Sequence, residues 1–228
     1  MLILASGSPR RTELIQRIVN EFQSLTSDIE ERGSDKWPDF EIPPLQLAPP
    51  FPVSVADDPR LWAWRKATDV ALIYRDSIEP GTAILGADTV VVGPGRTLGK
   101  PRDRQDALNM LTLLRGEPHY VVTGFVVLRT TAGEPVCFHH EAVISTVFMR
   151  AYEYFEIEGY VATGEPFDKA GAYALQGHGG KLVSHVEGCI NNVVGLPVCR
   201  VRRALVAAGE QVRPYPYGGF CEHCLPVS

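Results

Sequence analysis

The chain opens with an apolar run, Leu2-Ile3-Leu4-Ala5, then small polar residues, then apolar positions at helical spacing. The run predicts a short buried strand. Ser6, Gly7 and Ser8 predict a tight loop, with Ser8 as helix N-cap and Pro9 as the first helical residue. Leu14, Ile15 and Ile18 supply the apolar stripe of that helix. A second short strand is expected over Phe22 to Thr26. Regular patterning then stops across residues 33–59, where Pro38, Pro43, Pro44, Pro49, Pro50, Pro52 and Pro59 predict a surface insertion.

Periodicity returns with a helix over Leu61 to Tyr74, whose apolar content is Trp62, Ala63, Ala67, Val70 and Ala71. A buried strand follows over Ala83 to Val92, broken at Gly86-Ala87-Asp88-Thr89. Asp103 starts a helix, with Asp106 three residues on as its acidic partner and Gly116 as its stop. Tyr120 to Leu128 and Ala142 to Met149 read as strands. In the second, Val143, Ser145 and Val147 face one way and Ile144, Thr146 and Phe148 the other. Helices are expected over Ala151 to Val161 and Leu196 to Ala208. Alternating strands and helices indicate an α/β architecture, one domain over residues 1–209 and a tail over 210–228.

Composition narrows the function classes. The 228 residues are 45% hydrophobic and 21% charged, ordinary for a soluble globular protein. The net charge of −5 supplies no general basic field, so no nucleic-acid partner is expected and any anion site must be local. No secretory leader pattern and no apolar run of membrane-spanning length is present, so a cytoplasmic protein without a membrane partner is expected. Cys221 and Cys224 form a lone CxxC around Glu222 and His223. A structural zinc site needs more ligands than that, so an exposed thiol pair is the favoured reading and a structural metal the alternative.

The candidate chemistry begins at Arg10 and Arg11. Cations in the first turn oppose the helix dipole, and a bound polyanion would remove the conflict. Backbone N–H groups, the hydroxyls of Ser6 and Ser8 and two guanidinium forks would then converge on phosphate oxygens. The bland alternative is an ordinary capped helix with two solvated arginines. Asp88 stands between apolar runs and must find a partner or a metal, because burying a bare charge is costly; a strand bend satisfied by backbone amides is the alternative. Glu30 and Glu31 would complete a hard oxygen site suited to Mg²⁺ if the sheet brings them near Asp88. Lys66 and Lys100 could act as point charges for phosphate. Together Ser6, Ser8, Arg10, Arg11, Lys66 and Lys100, set against Glu31 and Asp88, make the inventory of a metal–triphosphate site.

Residues 163–180, TGEPFDKAGAYALQGHGG, are polar and glycine-rich, which suggests a loop and strand beside a ligand. Within them Asp168 and Lys169 could pair structurally, and the Gln176 amide suits the edge of a pyrimidine ring. No HExxH, GxSxG or GxxxxGK[ST] occurs, which disfavours zinc-protease, serine-hydrolase and P-loop chemistry.

LASGSPRRTELI, SDIEER, Lys66-Ala67, LGADTVVV, LGKPRDRQDALNML, HYVVTGFVV, TGEPFDKAGAYALQG and VVGLPV occur in that order. Together they closely resemble the Maf family of nucleoside triphosphate pyrophosphatases, from the N-terminus to about residue 208. The resemblance implies an elongated mixed sheet flanked by helices, with a central cleft between two lobes, similar to the inosine triphosphate pyrophosphatases, in a homodimer. It implies hydrolysis of a nucleoside triphosphate to monophosphate and pyrophosphate, keeping non-standard nucleotides out of nucleic acids. Asp88 matches the catalytic base and a metal-associated residue, Glu31 the second metal ligand, and the cofactor would be Mg²⁺, with Mn²⁺ as the alternative. Lys66 and Lys100 match catalytic cations, and Ser8, Arg10 and Arg11 phosphate-binding positions. Arg10, Thr89 and Gln176 match the positions that set base preference and look like the dTTP/UTP branch. The rival reading is a non-catalytic regulator of cell-division arrest that binds nucleotide or protein. The chain departs from the family in the length of 33–59, in Trp62 and Trp64, in Arg115 and in the tail after Gly209.

Overall fold

The computed structural model describes residues 1–27, 29, 58–131 and 135–214. In chain order these form β1 (Leu2–Ala5), α1 (Pro9–Ile15), β2 (Gln23–Leu25), α2 (Pro59–Ile73), β3 (Ala83–Gly93), β4 (Arg96–Leu98) and α3 (Arg104–Leu114). Then come β5 (Pro118–Arg129), β6 (Val136–Met149) and α4 (Tyr154–Ala162). Short 3₁₀ turns between residues 165 and 182 lead to β7 (Val183–Glu187), α5 (Ile190–Val194) and α6 (Val198–Ala207). The sheet runs β2-β1-β3-β5-β6-β7, with β4 pairing against β3. The pairs β1–β2 and β1–β3 are parallel, and β3–β5, β5–β6 and β6–β7 are antiparallel. The mixed α/β sheet flanked by helices is the architecture the sequence predicts.

Three apolar clusters hold the sheet. At one end, α1 and α6 cover one face through Leu14, Ile15, Val201 and Leu205, which pack on Leu4, Leu85, Phe125 and Val127. On the opposite face, α2 buries Ala63, Trp64, Ala67 and Val70 against Ile3, Ile84, Val126 and Leu128. Adjacent strand residues serve opposite faces, as a period of two requires. At the other end, Leu111 and Leu114 of α3 and Ile157 and Tyr160 of α4 pack with Val91, Val121 and Val147.

Strand β3 joins the two ends and explains where the cleft lies. Its residues are buried from Ala83 to Ala87 and again from Val91 to Gly93, and half-buried only at Asp88, Thr89 and Val90. The predicted break at 86–89 is therefore corrected. The strand is continuous and pairs with β5 from Ala83 to Val92. What the polar residues mark is the passage from one core to the other. Gly86 sits in the strand because α2 passes so close that a Cβ there would lie 2.0 Å from the Ala63 carbonyl oxygen.

Other boundaries also move. Strand β6 starts at Val136, not Ala142, and α4 at Tyr154, not Ala151. The strand expected within 163–180 is absent; that segment turns in 3₁₀ steps, and β7 begins only at Val183. The proline-rich segment 33–57, Glu30, Glu31 and the tail that carries Cys221 and Cys224 lie outside the described residues.

Candidate active site

A cleft of about 1560 Å³ opens over the half-buried middle of β3. Its wall includes Ser6, Ser8, Arg10, Arg11, Lys66, Asp88, Thr89, Lys100 and Gln176. All the predicted site residues that are described thus reach one cavity, from segments up to 170 positions apart in the chain. Glu31, the predicted second metal ligand, lies outside the described residues.

The centre is an ion pair. Lys66 Nζ lies 2.6 Å from Asp88 Oδ1. Both side chains are mostly buried, 12% and 15% exposed, so neither solvent nor salt screens the pair as it would at a surface. Lys66 comes from the third turn of α2, whose N-terminus is held by Asp58: its carboxylate accepts from the Arg60 backbone N–H at 2.8 Å. Asp88 comes from the strand. Close packing of α2 on β3 brings the two together, and the pair answers the expectation that a carboxylate among core strands has a partner.

The first loop is shaped by Ser6. Its Oγ accepts from the Ser8 backbone N–H at 3.2 Å and from Arg11 Nη1 at 3.4 Å. Ser8 occupies the predicted N-cap, but its side chain makes no capping bond. The two arginines differ. Arg11 is fastened into the cleft wall, with Nε donating to the Gly195 carbonyl at 2.9 Å and Nη2 to Thr89 Oγ1 at 3.1 Å. Arg10 faces the opposite rim, where its charge helps hold the Asp168 carboxyl below the usual carboxylate range. Burial works against the charged form of Asp168, and the bond from Lys169 together with these cations outweighs it.

That rim is the glycine-rich segment, and Glu165 organises it. Its carboxylate accepts from the backbone N–H of His178 at 3.0 Å and of Gly179 at 3.1 Å, and from the Tyr160 hydroxyl at 3.1 Å. Partial burial opposes the charge on Glu165, but these donors win and its carboxyl stays below the ordinary range. Gln176, exposed at the edge of the cleft, is carried by the turn so anchored. The predicted Asp168–Lys169 pair is present, and Lys169 Nζ also donates to the Glu165 carbonyl at 2.8 Å.

Sequence reading missed several contributors. Trp62 lies one helical turn before Lys66 and lines the cleft, with the Arg65 guanidinium 4.9 Å above its ring. Ser27 also lines it, donating at 2.6 Å to Asp69, a fully buried carboxylate on α2. Glu165 was the most findable of these, as an acid inside a segment already marked for a ligand.

Among the described residues, no group of three or more His, Cys, Asp or Glu side chains gathers to hold a metal ion. The donor chemistry nevertheless fits a hard cation that brings its own ligands. Mg²⁺ keeps waters and takes phosphate oxygens, so one carboxylate facing a triphosphate is an adequate protein share. Asp88 is a carboxylate in the wall of this cleft. No helix of the described residues is long and apolar enough to cross a membrane.

A family model described as "Maf-like protein" matches residues 1–208. The dTTP/UTP pyrophosphatase of Alkaliphilus metalliredigens is 42% identical over 205 residues, covering 90% of this chain and 94% of its own. Those of Pelotomaculum thermopropionicum and Desulfitobacterium hafniense are 39% and 42% identical, each covering 92% of this chain, and 98% and 86% of their own.

Proposed function

The chain belongs to the Maf family, and from that membership and its cleft we propose that it hydrolyses nucleoside triphosphates, dTTP and UTP foremost, to the monophosphate and pyrophosphate. The observation that carries the reading is the Lys66–Asp88 pair, 2.6 Å apart, set in a cleft whose other walls present Arg10, Arg11 and Lys100. A triphosphate lies along those cations, and its α-phosphorus meets the carboxylate.

Asp88 orients a water for in-line attack and accepts its proton. Lys66 engages Oδ1 and so fixes the carboxylate, and the second oxygen is the one assigned to the water. Water's oxygen bonds to the α-phosphorus as the bond to the bridging α–β oxygen breaks, and the electron pair leaves with pyrophosphate. Arg10, Arg11 and Lys100 stabilise that growing charge. Asp88 and Glu31, with triphosphate oxygens, would hold a divalent cation, Mg²⁺ or alternatively Mn²⁺, which supplies charge neutralisation and polarisation at phosphorus. Gln176 reads the pyrimidine edge with its amide, which both donates and accepts. A cytoplasmic homodimer that clears unwanted pyrimidine nucleotides is the setting this reading implies. A regulator that only held nucleotide would have no need of a carboxylate beside the triphosphate, where it weakens binding.

The test is a panel of nucleoside triphosphates assayed for pyrophosphate with and without Mg²⁺. The reading expects pyrophosphate and UMP in equal amounts from UTP, dependent on the cation. Release of orthophosphate and UDP, or no turnover with any nucleotide, would reject it.

A further inference from the structure

Behind Arg11 runs a chain of hydrogen bonds whose direction can be worked out. A guanidinium only donates, so Thr89 Oγ1 accepts the 3.1 Å bond from Arg11 Nη2. Thr89 Oγ1 lies 2.9 Å from Thr123 Oγ1, and Thr123 Oγ1 lies 2.9 Å from the backbone oxygen of Asn192. A carbonyl only accepts, and a hydroxyl has one proton to give. The Thr123 proton therefore goes to Asn192, and the Thr89 proton goes to Thr123. Every link is satisfied only when the order runs Arg11 to Thr89 to Thr123 to the Asn192 carbonyl.

The far end is rigid. Asn192 is fully buried, and its Nδ2 donates at 2.9 Å both to the Val121 carbonyl and to Ser145 Oγ. Its Oδ1 accepts from the Thr123 backbone N–H at 3.2 Å. Thr123 is also fully buried, and neither residue lines the cleft. Three residues beyond Asn192, the Gly195 carbonyl takes the Arg11 Nε bond, so the short helix α5 governs two of the guanidinium's contacts.

We propose that Thr123 and Asn192 are positioning residues that aim Arg11 into the cleft through Thr89, and that Thr89 serves as Arg11's acceptor, not as a hydroxyl donor to the nucleotide. This rests on the proposed function, in which Arg11 meets phosphate oxygens. A guanidinium fork already fixed in place loses little side-chain freedom on binding and needs no reorientation as charge develops. Removing the Thr123 oxygen releases the Thr89 proton, lets that hydroxyl turn, and takes the oriented lone pair away from Arg11.

The experiment compares Thr123→Val with Thr123→Ser, alone and in an Arg11→Lys background, following UTP hydrolysis and, by calorimetry, the binding of inorganic pyrophosphate. Thr123→Val should lower kcat/KM for UTP and weaken pyrophosphate about tenfold, within the range by which residues of one hydrogen-bond network couple. Thr123→Ser should restore both to within about twofold, because it keeps the oxygen. In the Arg11→Lys protein, Thr123→Val should add no further loss, since the group it aims is gone. If Thr123→Val does not fold, Thr89→Val against Thr89→Ser is expected to give the same pattern. Losses that multiply with Arg11→Lys, or a folded Thr123→Val with unchanged pyrophosphate binding, would overturn the proposal. A wild-type protein inert toward UTP whose pyrophosphate binding still depends on Thr123 would instead reject the functional reading and leave the positioning role standing.

Discussion

Gly86 and Ala63 are in closer contact than any side chain would allow: a Cβ on the glycine would meet the Ala63 carbonyl oxygen at 2.0 Å. This contact sets α2 against β3, and through it Lys66 against Asp88. Gly86→Ala should therefore cost stability, about 2 kcal/mol on the scale of overpacked cores. It should also lower activity beyond what the lost stability explains, because the helix is pushed away from the strand. Denaturant unfolding and UTP turnover, measured on the same preparation below its transition, check both halves.

His119 carries a stability signature in pH. It is fully buried on β5, with Nε2 2.7 Å from the hydroxyl of Tyr173, a residue of the cleft wall. Burial lowers its pKa from 6.5 to about 4. The unfolded chain therefore binds a proton between these values that the folded chain does not, and stability falls as pH drops through that window. From pH 7 to pH 5 the loss should be about 2 kcal/mol. His119→Gln should flatten the dependence of melting temperature on pH over that range. An equally steep profile in the variant would remove His119 from this role.

Gln176 and Glu165 should separate binding from chemistry. Gln176→Ala is expected to raise KM for UTP and dTTP several-fold with kcat nearly kept, and to leave any slow purine hydrolysis unaffected. Glu165→Ala should copy that pattern, because it frees the turn that holds Gln176. Steady-state kinetics on a purine and a pyrimidine triphosphate decide whether the effect follows the base.

Arg10 and Lys100 line the same cleft as the central pair. Arg10→Ala and Lys100→Ala should each weaken inhibition by pyrophosphate and lower kcat/KM by about a hundredfold, the lower end of the scale for one electrostatic donor. Progress curves with added pyrophosphate report this directly.

Much of this molecule was legible in its sequence, for reasons that differ by residue. The start of the chain was readable because Ser8, Pro9, Leu14 and Ile15 agree on one local structure, although the helix ends at Ile15, so that Ile18 packs into the same core from the turn beyond it. Asp88 was readable because a carboxylate between apolar runs is costly unless it is paired. The break assigned to β3 was an error of local propensity. Gly86 looks like a strand breaker, but close helix packing demands a glycine there. Strand β7 was missed because its residues alternate poorly, with Ser184, His185 and Glu187 all exposed. Thr123 and Asn192 gave no signal at all. A threonine in a strand and an asparagine in a five-residue helix are unremarkable until the fold brings them together.

The account rests most heavily on the carboxylate of Asp88. The direct measurement is pyrophosphate release from UTP by Asp88→Asn, with melting temperature confirming that the variant is folded. The expected result is a fall in kcat of at least about a hundredfold. Turnover equal to that of the wild type would contradict the assignment and with it the hydrolytic centre described above.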